Sequence, residues 1–450
     1  MESNLMSSHA SLSLPGEVLT PGDDGYAEAA TTMFATGTPD LVVRPGDAAR
    51  VAAALRYAAD AGLTVSVRSG GHSLAGFSTH TDGMVIDLRR INQVRILDPA
   101  ARRVRVGAGA TWGAVAKTIQ PNGFALTAGD TASVGVGGLT LGGGIGWMVR
   151  RYGLAIDNLA GAELVTADGQ LIRADAAQHQ DLFWALRGGG GNFGVVISFD
   201  FIAQPVSSVH YGEITYQDAD LPRLIAGWRD AMRVSDENLT TTLALMPPVM
   251  GQPGRTAATI CYASADPDAT AAALRPFRRL APVAGEDIRV VPYAEVLEEA
   301  PPMPPGLRFE MRNALLPELD DTAIAAIGAL FRGGAMLGLR GLGGAAARVH
   351  PDATAFAHRD AEVMVTAGAM VPPGAPPELL GEALAAWPEL TAPGTGAGAY
   401  IGFLESASAD PGGVAAAYPP ATGRRLADVK RRYDPGNLFR RNHNIVPTDF

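Results

Sequence analysis

The chain has 450 residues, a length at which two lobes are expected, and its 47% hydrophobic and 18% charged residues exclude a disordered polymer. A net charge of −10, with Lys and Arg scattered rather than clustered, excludes a basic track for nucleic acid. The single cysteine, Cys261, excludes an internal disulfide and any cysteine-based metal centre, and reads as a buried apolar filler in a reducing compartment.

Residues 1–38 read as an extended lead-in, without the basic start and unbroken apolar stretch of an export signal. No later run approaches the length of about 18 apolar residues that suggests a span, so a soluble, cytoplasmic protein with no membrane partner is expected. Asp40–Arg44 is a short apolar run ended by Pro45-Gly46. A helix follows, with Asp47 placed to cap it, Val51, Leu55, Ala58 and Ala59 at helical spacing, and Gly62 where a left-handed stop belongs. Thr64–Arg68 alternates as a strand and runs into Ser69-Gly70-Gly71-His72. Short strands at Met84–Leu88, Val94–Asp98 and Arg103–Gly107 precede a helix over Trp112–Gln120, capped by Thr111 and closed near Gly123. Gly161–Thr166 and Gln170–Ala174 flank Ala167-Asp168-Gly169, a hairpin signal, and Gly194–Phe201 is a further strand. Gln204-Pro205 marks the first lobe boundary.

From His210 to Phe403 longer alternating strands, such as Leu239–Leu245 and Ala257–Tyr262, are separated by amphipathic helices over Leu221–Met232, Asp320–Phe331 and Pro377–Trp387. Pro301–Pro305 and Pro372–Pro377 read as rigid surface loops. A tail helix over Arg424–Tyr433 is stopped by Asp434-Pro435-Gly436-Asn437.

Two glycine clusters carry the chemistry: Ser69-Gly70-Gly71-His72-Ser73, and the run from Gly135 to Gly146. Without a Cβ, such turns let backbone N–H groups converge on phosphate oxygens, and two of them suit one diphosphate. Asp157-Asn158 and Gly188–Gly194 add sites of close backbone approach. A Rossmann fingerprint is the competing reading, but it should join the first strand to a helix, whereas this run begins only at Gly135 and is too rich in glycine to start a stable helix. Flexible linkers, the other alternative, fit poorly with the neighbouring Val134, Val136, Leu139, Leu141 and Ile145.

Arg68–Ser73, Asp130–Gly138 with Gly142-Gly143-Gly144, Tyr152–Asn158, Phe183–Gly189, Tyr433–Phe439 and Asn442–Ile445 together resemble the berberine-bridge-enzyme-like FAD-linked oxidases of the vanillyl-alcohol-oxidase superfamily. The matches occur in order, whereas residues 206–400 match only loosely, through pieces such as Phe356–Arg359. The resemblance implies an α+β fold. A two-subdomain PCMH-type FAD-binding domain would span residues 1–205, a substrate domain with an antiparallel sheet covered by helices 206–405, and a C-terminal segment, 406–450, would return to the first domain.

The resemblance also implies that His72 bonds the 8α carbon of FAD, for which a neutral imidazole is a suitable nucleophile. The cofactor site it implies comprises His72, Arg68, Ser69, Gly70, Gly71, Ser73, Gly76, Gly129, Thr131, Val134, Gly135, Gly137, Gly138, Gly142, Gly143, Gly146, Asn158, Val196, Asn442 and Asn444, with no metal; His443 is expected to turn to solvent. Many members tether the flavin a second time through a cysteine where Thr131 stands, so a single bond is expected. Val134 aligns with the residue that controls oxygen access and looks like an oxidase residue, or else a plain core valine. Of the family's Tyr-x-x-Tyr segment, Tyr400-Ile401-Gly402-Phe403 keeps only Tyr400, either the catalytic base or a packed strand tyrosine. His358 and Arg359 read as a buried hydrogen-bonding pair, and the strand after them offers an acid only at Glu362. The implied reaction removes hydride from an alcohol, hemiacetal or amine carbon of a small molecule and passes the electrons to O2, in a monomer or homodimer. A dehydrogenase using another acceptor and a non-catalytic flavin-binding protein are the alternatives.

Overall fold

β-Branched, apolar segments separated by a capped helix form the first sheet. In the computed structural model the described residues are 14–217, 220–248, 251–299, 307–376, 378–405 and 412–447. Strands β1 (Glu17–Leu19), β2 (Leu41–Arg44), β3 (Val65–Arg68) and β4 (Met84–Asp87) lie in the order β1-β2-β4-β3. β4 runs parallel to both β2 and β3, and β1 is antiparallel to β2. Every residue of β2 and β4 is buried, the pattern of strands covered on both faces. The crossover helix Ala48–Asp60 is capped as its sequence predicts, Asp47 Oδ1 accepting the Arg50 N–H at 2.9 Å. The lead-in is not wholly extended: it contains β1 and a short helix, Tyr26–Ala30, whose Ala29 packs with Leu19, Val42 and Val85.

The second sheet is antiparallel throughout, with β5 (Val94–Asp98), β6 (Arg103–Gly107), β7 (Leu159–Val165), β8 (Leu171–Asp175) and β9 (Val195–Ile202) in the order β5-β6-β9-β7-β8. The hairpin read at Ala167-Asp168-Gly169 joins β7 to β8, with Val165 opposite Leu171. Both sheets share one core, into which Leu426, Val429 and Tyr433 of the tail helix Pro420–Tyr433 also pack. That helix begins earlier than expected because Pro420 lies in its first turn, where a missing N–H costs nothing.

The third sheet has seven antiparallel strands: β10 (Ser208–Tyr216), β11 (Leu239–Met246), β12 (Arg255–Tyr262), β13 (Val283–Pro292), β14 (Arg308–Leu316), β15 (Met336–Gly341) and β16 (Val363–Val371), ordered β13-β10-β12-β11-β15-β16-β14. Helices Leu221–Val234 and Asp321–Arg332 bury Ile225, Trp228, Ile327 and Leu330 against Leu243, Leu339 and Val365 of one face. On β14, Ala314 and Leu316 join this core, while Leu315 packs with Phe356 and Tyr400 on the other face. By period-two alternation, Phe309, Met311 and Asn313 share that second face. The helix expected over Pro377–Trp387 is two pieces, Glu378–Ala383 and Trp387–Leu390, the second with Pro388 in its first turn. The Pro301–Pro305 loop lies outside the described residues. Among those described, no helix is long and apolar enough to cross a membrane.

Candidate functional site

The two glycine turns meet. The turn leaving β3 brings Gly70 against Gly135, so that a Cβ added at Gly70 would stand 2.2 Å from the Gly135 nitrogen, and one at Gly135 2.1 Å from the Gly70 nitrogen. Neither position tolerates a side chain without the turns separating. Ser69 Oγ fixes the junction, donating to the Ala108 carbonyl at 2.6 Å and accepting the Gly137 N–H at 3.2 Å. Contrary to expectation, the glycine run does form a helix, Val136–Gly142. Burial of Val136, Thr140 and Leu141 offsets its poor intrinsic propensity.

A cavity of about 510 Å³ opens beside this junction, within the usual range for small-molecule sites. Of the residues read as cofactor-binding or catalytic, Ser69, Gly70, Gly71, His72, Ser73, Gly129, Thr131, Val134, Gly135, Gly137, Gly138, Gly142, Val196, Tyr400 and Asn442 line it. The others do not line it. Arg68 is turned away to Asp87, at 2.6 Å. Gly76 accompanies a turn held by a bond from its N–H to the Ser73 carbonyl, and a Cβ on Gly143 would strike the Phe356 ring at 2.9 Å. Gly146 lies so close to Ala128 that a Cβ there would coincide with its carbonyl oxygen. Asn158 donates to the carbonyls of Tyr152 and Leu154 and accepts from Gln204, so its amide is spent inside the protein. Asn444 is not on the wall, although its buried Oδ1 has no partner.

Several lining residues escaped the motif reading. His443, expected in solvent, lines the cavity edge-on to Phe77, ring centroids 5.0 Å apart. Met33, Phe34, Phe309, Met311 and Phe403 form an apolar wall, and Asp130, Asn192 and Arg441 add polar groups. Alternation along β14 was the only sequence signal for Phe309 and Met311. Asn442 Oδ1 and Arg441 Nε are buried without partners.

Burial lowers the pKa of His72 and leaves it a neutral imidazole. Burial likewise pushes His443 down to about 4. Tyr400 is pushed up by burial to about 12, although its hydroxyl accepts the Gly144 N–H at 3.2 Å. Its backbone is gripped by Asn313, whose Oδ1 accepts the Tyr400 N–H at 2.6 Å and whose Nδ2 donates to the carbonyl at 3.2 Å. Burial would raise Asp130, but the Arg340 guanidinium at 2.8 Å prevails and holds it below the usual carboxylate range. Arg340 itself lies over the Trp147 ring at 4.5 Å and donates to Thr242 Oγ1.

His358 and Arg359 do not pair with each other. Arg359 makes two 2.8 Å bonds to the Asp157 carboxylate, and His358 Nε2 meets the Ala416 carbonyl at 2.7 Å. Glu362 is bound by Arg233 and the Leu319 N–H, away from this cavity. Cys261 is buried, with its thiol pushed up to about 12 by burial, and behaves as the inert filler expected. The tail is anchored beneath the site by Lys430, whose fully buried ammonium donates to Asp434 at 2.6 Å, to the Asn192 carbonyl at 2.8 Å and to the Phe439 carbonyl at 2.9 Å.

Residues 39–175 match the FAD binding domain family model, and residues 421–446 the berberine and berberine-like model. The chain is 33% identical to (R)-6-hydroxynicotine oxidase of Paenarthrobacter nicotinovorans over 97% of its own length and 98% of that protein. A xylooligosaccharide oxidase of Thermothelomyces thermophilus is 38% identical over 42% of this chain and 39% of its own. The crystal structure of 6-hydroxy-D-nicotine oxidase from Arthrobacter nicotinovorans superposes with a TM-score of 0.86 at 31% identity, covering 97% of this chain and 99% of that one. The middle segment, loosely matched by motif, is therefore included in the likeness. These relatives are oxidases by name, and the chain is an FAD-linked oxidoreductase belonging to the berberine-bridge-enzyme-like family.

Proposed function

We propose that this protein binds FAD in the cavity beside the Gly70–Gly135 junction, covalently through His72 alone, and oxidises an alcohol, hemiacetal or amine carbon of a small molecule with O2 as acceptor and H2O2 as product. The observation that carries this reading is a neutral His72 on the wall of a cavity whose adjoining turns are bare backbone. The residues fit the cofactor. Glycine amides suit a diphosphate, and the unpartnered Asn442 Oδ1 and Arg441 Nε are buried groups that lack a hydrogen-bonding partner within the protein. Thr131, with no nucleophilic sulfur, leaves His72 as the single tether. In domain terms, residues 1–205 and 406–450 would hold the flavin and 206–405 would cover it.

Bound FAD supplies a hydride acceptor. The chain's own groups orient the substrate and manage its proton. Tyr400 is held protonated at neutral pH by burial, its oxygen accepting the Gly144 N–H, so it can take the heteroatom proton only as the phenolate, whose share grows with pH. Asp130 stays ionised beside Arg340 and offers an acceptor at the wall. Val134, half-buried on the cavity wall, leaves room for O2. The test is anaerobic bleaching of the flavin by candidate substrates, followed by admission of air. Rapid return of colour with peroxide release is expected; bleaching that persists in air would instead assign an electron carrier as acceptor.

A further inference from the structure

Independently of the flavin and of the reaction proposed above, we infer that two copies of this chain pair edge to edge through strand β13, about a twofold axis at Ile288. Their two third sheets then run on as one. β13 ends that sheet, with β10 on one side and, among the described residues, no strand on the other. Along Val283–Pro292 only Ile288 and Val291 are even half-buried, so the outer edge lies open. The N–H and C=O groups of such an edge are a template for a further strand. Edges that must stay single are commonly guarded by proline, by a bulge or by charge. β13 reaches proline only at its last residue, and its one register shift against β10 falls at its first, Val283. Its charged residues, Glu286, Asp287 and Arg289, are of both signs.

Those charges select a second copy as the occupant. Antiparallel pairing about Ile288 sets Asp287 of each copy opposite Arg289 of the other, so the strand complements itself twice over. Moving the axis one residue either way would set Asp287 against Asp287 or Arg289 against Arg289, which repel. A self-complementary patch of this kind closes as a twofold pair and does not grow into a filament. Asp287 and Arg289 already touch within the strand at 3.2 Å, but at 74% and 73% exposure that contact spends little of either charge. Inside its own sheet Asp287 stands opposite a like charge, Glu213 on β10, and Arg289 opposite Tyr211. The cation that Asp287 lacks on that side is supplied on the other by Arg289 of the second copy. The same register places Val290, 53% exposed, beside the aliphatic stem of Glu286 of the second copy. It also places Val291 beside Gly285, where an added Cβ would meet nothing within 4 Å.

The experiment is sedimentation velocity of the flavin-loaded protein over roughly 1–100 μM, the range suited to a micromolar pair. Wild type is expected to pass from monomer to dimer across it. Arg289→Asp brings acids face to face at both ends of the pair, and Asp287→Arg brings guanidinium groups together. Each is expected to weaken association by at least about tenfold, and the double variant Asp287→Arg/Arg289→Asp to restore it. Because both positions are exposed, melting temperatures should not change. Ile288→Cys, in a chain whose native Cys261 is buried, should crosslink to a dimer under mild oxidation, whereas Leu97→Cys, exposed on β5 of another sheet, should not. A protein that stays monomeric throughout the range overturns the inference, as does a dimer that Arg289→Asp leaves intact. A dimer weakened by both single variants and not restored by the double variant overturns the pairing about Ile288.

Discussion

Gly70 and Gly135 touch backbone to backbone, each occupying the space where the other's Cβ would be. Substituting Gly135 by Ala should force the two turns apart and cost at least about tenfold in retained flavin, read as the ratio of flavin to protein absorbance, together with a lower melting temperature. At Gly138 an added Cβ would meet no protein atom within 4 Å, so Gly138→Ala should keep its melting temperature. Equal behaviour of the two variants would contradict the close approach.

Tyr400→Phe removes the acceptor of the Gly144 N–H and the only hydroxyl proposed to handle the substrate proton. Stability should fall by about 1 kcal/mol, and kcat by about 10²–10⁴. Because burial pushes Tyr400 up to about 12, the wild-type rate should keep rising into alkaline pH, and this rise should vanish in the variant. Steady-state pH profiles of both proteins decide the point.

Lys430 and Asp434 are both fully buried, and each is the other's charge partner. Lys430→Met leaves the Asp434 carboxylate uncompensated and frees the carbonyls of Asn192 and Phe439, so a loss of about 3–5 kcal/mol is expected in denaturant titration. Since Asn192 lines the cavity, flavin retention should fall as well.

Acid should destabilise the protein through His443. Its folded-state pKa is lowered by burial from its ordinary 6.5 to about 4, so between those values the unfolded chain takes a proton that the native state refuses. Stability therefore falls as pH drops through that window. Burial lowers His72 and His358 in the same sense. His443→Gln should flatten the dependence of melting temperature on pH between 6.5 and 4.

Signals confined to a few residues were legible in the chain. Asp47 caps its helix and Ala167-Asp168-Gly169 turns its hairpin because both depend on nearest neighbours. The glycine turns were legible too, since motif and physical need coincide there. Contacts made across the fold were not. Nothing local in Arg68 says that its guanidinium turns to Asp87 rather than to the cavity, and adjacent His358 and Arg359 diverge to partners from different segments. Phe34 meets Phe309 only because the lead-in folds over His72 toward β14, a pairing no periodicity encodes. The helix Val136–Gly142 fails by propensity and forms by packing, so only the surrounding core reveals it.

The most direct measurement of the central claim is the location of the flavin after acid precipitation, compared between the wild type and His72→Ala. Colour held in the wild-type pellet and released to the supernatant by the variant is the expected result, with the flavin mass found on the tryptic peptide spanning Ser69–Arg89. Colour in the wild-type supernatant, or a pellet that stays yellow after His72 is removed, would contradict covalent attachment through His72.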